Sequence, residues 1–134
     1  MRKTTRKGWV RKLDALVKQI VIARDITCVC CGTSKNLTPG HLFSRVAYST
    51  RWDLDNVYAQ CVNCNFRHES DPYPLTKHAE LILGEDGLED LHYKYVHPIK
   101  FKTFELEELY NKLSDNFEQH DLSVANENTM ETNL

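Results

Sequence analysis

Two Cys-x-x-Cys pairs, Cys28/Cys31 and Cys61/Cys64, constrain this 134-residue chain more than any other feature. The two-residue gap lets both sulfurs of a pair reach one ion, and two such pairs supply the four thiolates of a tetrahedral Zn2+ site. A closed four-thiolate site leaves no open coordination position, so the predicted zinc is structural. Any reaction then falls to the residues between and just after the pairs, which are His41, Asn56 and Asn65. Cys30 is the spare thiol, because adjacent cysteines seldom share one tetrahedral ion, and it reads as a small packed hydrophobe. Gly32 follows the first pair, where freedom at positive φ lets the chain turn tightly around an ion.

The length suits one domain, read as residues 1–117 with a core at 28–70, followed by an acidic tail over 118–134. That tail is polar and aperiodic, which predicts disorder. Charge is unevenly spread: through Thr27, eight basic residues face only Asp14 and Asp25, and from Thr103 onward eight acidic residues face Lys112 alone. A basic front suits approach to a polyanion, and a solvated basic helix face is the alternative reading. The longest apolar run near the charged N-terminus, Ile20 to Ala23, is too short for a signal segment or a membrane span. A cytosolic protein is expected, and there thiols serve as zinc ligands more readily than as disulfides.

Trp9, Val10, Leu13, Leu16, Val17, Ile20 and Val21 recur at helical intervals, predicting an amphipathic helix over residues 9–24 with Arg11, Lys12 and Lys18 on its other face. Residues 37–43 and 57–60 read as strands of a small hairpin joined by a loop over 44–56. Helical spacing of Asn65, His68 and Glu69 follows. The hairpin packed on that helix is expected to bring His41 and Asn65 together. Further helices are predicted over 75–83 and 88–96, separated by a turn at 84–87. A last one starts with Thr103 as N-cap and has an apolar stripe of Leu106, Leu109, Tyr110, Leu113 and Phe117. Trp52 reads as core. The fold class is α+β, a small zinc-knuckle ββα core flanked by an N-terminal helix and C-terminal helices.

Gly40-His41, Leu54-Asp55-Asn56-Val57 and Gln60-Cys61-Val62-Asn63-Cys64-Asn65, taken in this order, resemble the HNH (ββα-metal) nuclease motif in its HNN form. More narrowly, GHLFSR, RWDLDNVYAQC and CVNCN resemble the NinG (Rap) recombination proteins of lambdoid phages, HNH-like enzymes associated with branched recombination intermediates. The resemblance covers residues 28–70 well and the downstream helices loosely. It implies that His41 is the general base, that Asn56 ties down the loop that orients it, and that Asn65 is a ligand of a catalytic Mg2+ or Mn2+. Beside these roles stand a hydrogen-bonded strand histidine, an Asx-turn asparagine and a helix-capping asparagine. The chain departs from the motif at Gly40, where many relatives of the wider superfamily carry an aspartate ligand. His68 or Glu69 could supply a second protein ligand, and Arg45, Arg51 and Arg67 could clamp DNA phosphates or be ordinary surface arginines.

The resemblance implies a metal-dependent endonuclease in a bacterial host cytosol, acting on branched or four-way-junction DNA, with a homodimer suited to symmetric cutting and the 103–117 stripe as its seam. Two other readings remain open: an HNH nickase for DNA packaging or mobility, and a non-catalytic zinc-ribbon module that only binds nucleic acid.

Overall fold

In the computed structural model the backbone is described for residues 2–132 and the side chains through residue 120. The order is α1 (Arg6–Asp25), β1 (Leu37–His41), α2 (Tyr48–Arg51), β2 (Val57–Cys61), α3 (Val62–His68), α4 (Tyr73–Val96) and α5 (Thr103–Thr132). The class is α+β, with one two-stranded antiparallel sheet among the described residues. No helix among them is long and apolar enough to cross a membrane. The chain forms two compact units, Val17–Phe101 and Met1–Leu16 with Lys102–Leu134.

In the larger unit, β1 and β2 pair in a register that sets Leu37 against Cys61, Thr38 against Gln60, Gly40 against Tyr58 and His41 against Val57. Every residue of β2 is buried, so its other edge needs partners of its own. Asp25 provides one, its carboxylate accepting from the Ala59 N–H at 2.8 Å, and the Val29 N–H donates to the Ala59 carbonyl at 2.9 Å. Arg24 extends this clamp, donating to the carbonyls of Leu54 at 2.8 Å and Val57 at 2.7 Å while bonded to Asp25. The end of α1 is thereby stitched along a strand edge that would otherwise stand open.

The core of this unit gathers Leu42, Tyr58, Leu75, Ala79 and Leu91, with Val29, Cys30 and Phe43 packed against it. Trp52 is buried beside Tyr48 and Phe101, as its apolar bulk predicts. The two helices predicted over 75–83 and 88–96 are both present within α4, which breaks at Gly84, whose φ of 74° lies in the left-handed region. The predicted four-residue turn therefore shrinks to one residue that only glycine adopts without strain.

In the smaller unit, Trp9 of α1 meets Tyr110 of α5 at 5.6 Å between ring centroids, and Lys12 sits over both rings. Leu106 is fully buried, so part of the α5 stripe expected to form a dimer seam is already covered within the chain. The cap lies one residue before the predicted Thr103: the Glu105 carboxylate reaches back to the Lys102 N–H at 2.9 Å, as in a capping box. The tail expected to be disordered falls mostly on residues whose side chains lie outside the described ones, and residues 133 and 134 lie outside them entirely.

Candidate metal and catalytic site

Cys28, Cys31, Cys61 and Cys64 converge, their sulfurs all within 4.8 Å of one another. The Cys31 and Cys61 sulfurs are 3.7 Å apart. A tetrahedron with Zn–S bonds of about 2.3 Å has S···S edges of roughly 3.8 Å, so the donors fit a metal ion such as zinc. Local chain geometry explains the convergence. The Cys28 N–H donates to the Thr33 carbonyl and the Gly32 N–H to the Cys28 carbonyl, and Gly32 turns the first knuckle at a φ of 81°. At the second knuckle, Cys61 caps α3 by accepting from the Cys64 N–H at 3.4 Å.

The thiols differ in acidity. Burial pushes the Cys28 thiol up, but hydrogen bonds from the backbones of Cys61, Cys31 and Cys30 outweigh it and bring it down to about 6. Burial raises Cys64, and the neighbouring Cys61, Cys31 and Cys28 side chains raise it further. Four thiolates in one pocket repel, and a divalent cation is the partner that removes that repulsion. Cys30 stays outside the cluster, as the spacing predicts. It accepts from the Gln60 amide at 3.4 Å, and burial raises its thiol.

Asn56 has no exposed surface and its amide is fully used. Its Oδ1 accepts from the Phe43 N–H at 2.8 Å, and its Nδ2 donates to the carbonyls of Phe43 and Thr50, both at 3.0 Å. The amide thus pins both ends of the loop that carries α2. The next carbonyl along, that of Arg51, lies 2.9 Å from His41 Nε2. A carbonyl accepts and cannot donate, so this nitrogen carries the proton and Nδ1 is the basic atom of the neutral ring. Asn56 and His41 are thus both hydrogen-bonded to the loop that carries α2.

α3 runs beside β1. Asn65 donates to Thr38 Oγ1 at 3.2 Å, and His68 Nε2 lies 2.9 Å from the Leu42 carbonyl. Thr38 stands three residues before His41, a separation of about 10 Å along a strand and on the opposite face. The hairpin expected to bring His41 and Asn65 together anchors Asn65 further back, and it is His68 that α3 fixes next to the residue following His41. Glu69 is exposed.

At Gly40 a Cβ would collide with the side chain of buried Gln60, standing 2.6 Å from its Cδ and 2.8 Å from its Cγ. No carboxylate fits there unless Gln60 moves. Of the arginines, Arg45 and Arg67 are exposed, whereas the Arg51 guanidinium lies over the rings of Tyr48 and Trp52 and donates to the Arg45 carbonyl.

Compared with known families, residues 2–118 match the family described as "Bacteriophage Lambda NinG protein". The chain belongs to the NinG family. No curated protein and no solved structure matches it significantly. This NinG-family chain thus carries a four-cysteine metal-site geometry and an asparagine-pinned loop, both encoded in its 28–70 segment.

Sequence reasoning missed Gln60, Arg24 and Asp25. The alternation of β2 marked Gln60 as polar but gave no sign that its amide fills the space beside Gly40, and nothing in an Arg-Asp pair at a helix end announces a strand clamp.

Proposed function

We propose that this chain is a metal-dependent DNA endonuclease of the HNH type that hydrolyses phosphodiester bonds, with branched DNA of phage recombination as its substrate class. The observation that carries this reading is the linkage from buried Asn56 through the α2 loop to His41, which gives Nε2 a carbonyl acceptor and supports Nδ1 as the proposed base. Membership of the NinG family supports the setting in phage recombination. Zn2+ in the four-cysteine cluster would hold the start of α3 against the first knuckle.

In this reading His41 Nδ1 accepts the proton of the water that attacks phosphorus. A bound Mg2+ or Mn2+ would supply charge stabilisation at the phosphate and help the sugar oxygen leave. Asn65 and His68 on α3 are the residues that would hold it. Exposed Arg45 and Arg67 suit phosphates, and Arg51, stacked on Tyr48 and Trp52, would help to hold the loop as well as reach DNA. Symmetric cutting of a junction calls for two sites and hence a homodimer, whose surface would lie away from the covered part of α5.

The crowding at Gly40 favours a second reading, a zinc-ribbon module that binds DNA without cutting it. The two separate when purified protein is incubated with linear duplex, single-stranded and four-way-junction DNA, with and without Mg2+ or Mn2+. His41→Ala should keep zinc, fold and salt-dependent DNA binding, because phosphate affinity comes from Lys and Arg, while cleavage falls by roughly 100-fold to 10,000-fold. Wild-type cleavage by His41→Ala would remove His41 as the base, and DNA binding without cleavage of any of these substrates by the unmutated protein would leave the binder as the better account. Equal rates on linear and branched DNA would favour a nickase.

A further inference from the structure

Gln60 faces Thr38 across the hairpin, and Gly40 is the next β1 residue on the same side, a diagonal neighbour within reach of a long side chain. A Cβ on Gly40 would stand 2.6 Å from Gln60 Cδ and 2.8 Å from its Cγ, so the glutamine fills the space that the glycine leaves open. Only 1% of Gln60 is exposed, so it has no solvent to swing into. Its Nε2 donates to Cys30 Sγ at 3.4 Å, while Oε1 has no hydrogen-bond partner among the described residues. Through its main chain the same residue reaches α3: Thr38 Oγ1 donates to the Gln60 carbonyl at 2.9 Å and accepts from Asn65 at 3.2 Å. One residue of β2 thus touches the strand of His41, the anchor of Asn65 and the first knuckle.

A buried amide with an unpaired oxygen costs stability that an apolar side chain of similar size would not, so filling space is a poor reason for a glutamine here. Its position supplies a better one. Glycine is the most permissive residue of a backbone, and Gly40 immediately precedes His41, so β1 would be softest at the step that aims the imidazole. We infer that Gln60 is a positioning residue for His41: packed against Gly40 and held by Cys30, it stiffens β1 at that step. It acts through Gly40, because the side chains of Gln60 and His41 lie on opposite faces of the hairpin. The consequence for cleavage rests on the nuclease reading; the restraint on His41 does not.

The test follows the histidine ring nitrogens and the Gly40 amide by nuclear magnetic resonance in zinc-loaded, full-length protein, with His41→Ala identifying the His41 signals. Gln60→Leu has a similar volume but no amide, so zinc content and thermal stability should match or exceed those of wild type while the Gly40 and His41 signals shift. On the nuclease reading kcat for DNA then falls by roughly tenfold to 100-fold at unchanged KM, the effect of a misplaced reacting group. Cys30→Ala, which removes the acceptor of the amide, should shift the same signals, and Cys30→Ser, which keeps an acceptor, should restore them. Leu106→Ala, in the other compact unit, should lower stability and move neither signal. Wild-type signals in zinc-loaded Gln60→Leu, or in Cys30→Ala should the leucine variant lose zinc, would overturn the inference and leave Gln60 a space-filler. A shift in Leu106→Ala as large as that in Gln60→Leu would overturn it too. Shifted signals in a protein that cuts no DNA would count against the nuclease reading alone.

Discussion

At the scale of single residues, Asn56 and Gly40 show how much one side chain, or its absence, can fix. Asn56→Ala would leave the Phe43 N–H and two carbonyls without their amide partner inside the protein. An unsatisfied buried group costs about 1–3 kcal/mol, so a clear drop in denaturant midpoint is expected, and the proposed nuclease reading adds a loss of cleavage that tracks the freed loop. Unchanged stability would mean that water replaces the amide. Gly40→Asp, attractive from the motif alone because it restores a carboxylate beside His41, should destabilise by about 1–3 kcal/mol through overpacking against Gln60. Gly40→Asp with Gln60→Ala removes the collision, and thermal unfolding of the pair should recover most of the loss.

The elements test a different set of forces. In the knuckles, apparent zinc free energies of about 10–16 kcal/mol are folding free energy for a small metal module, so Cys61→Ser should lose both zinc and native circular dichroism. Cys30→Ser should lose neither, since Cys30 lies outside the cluster. Full zinc and native structure in Cys61→Ser would reassign the ligands. Along the strand edge, Asp25→Ala deprives the Ala59 N–H and Arg24 of their carboxylate partner. Hydrogen bonds to a charged group contribute about 1.5–3 kcal/mol, and hydrogen exchange should quicken at Ala59 before it does in α4.

For the whole molecule, the two compact units give each tryptophan its own surroundings: Trp9 beside Tyr110 in one, Trp52 beside Tyr48 and Phe101 in the other. All four clustered cysteines belong to the unit of Trp52. Stripping metal with a strong chelator should therefore change the fluorescence of Trp9→Phe protein, which reports Trp52, more than that of Trp52→Phe protein. Equal changes would show that the α1 and α5 pairing also depends on the metal.

The sequence by itself determined what depends on spacing and local chemistry. The Cys-x-x-Cys gaps selected four ligands and excluded Cys30, the apolar period of α1 marked Leu13, Val17 and Val21 as buried, and motif order placed His41 on a strand with Asn56 in the loop after it. The tertiary structure decided what depends on which distant atoms meet. Strand register put Asn65 at Thr38 and His68 at Leu42, contacts that no spacing in the sequence specifies. The packing of Gln60 against Gly40 and the reach of Asp25 to Ala59 join residues 20 and 34 positions apart. Neither periodicity nor composition carries such pairings, because they arise only when the hairpin closes and brings separate stretches within bonding distance.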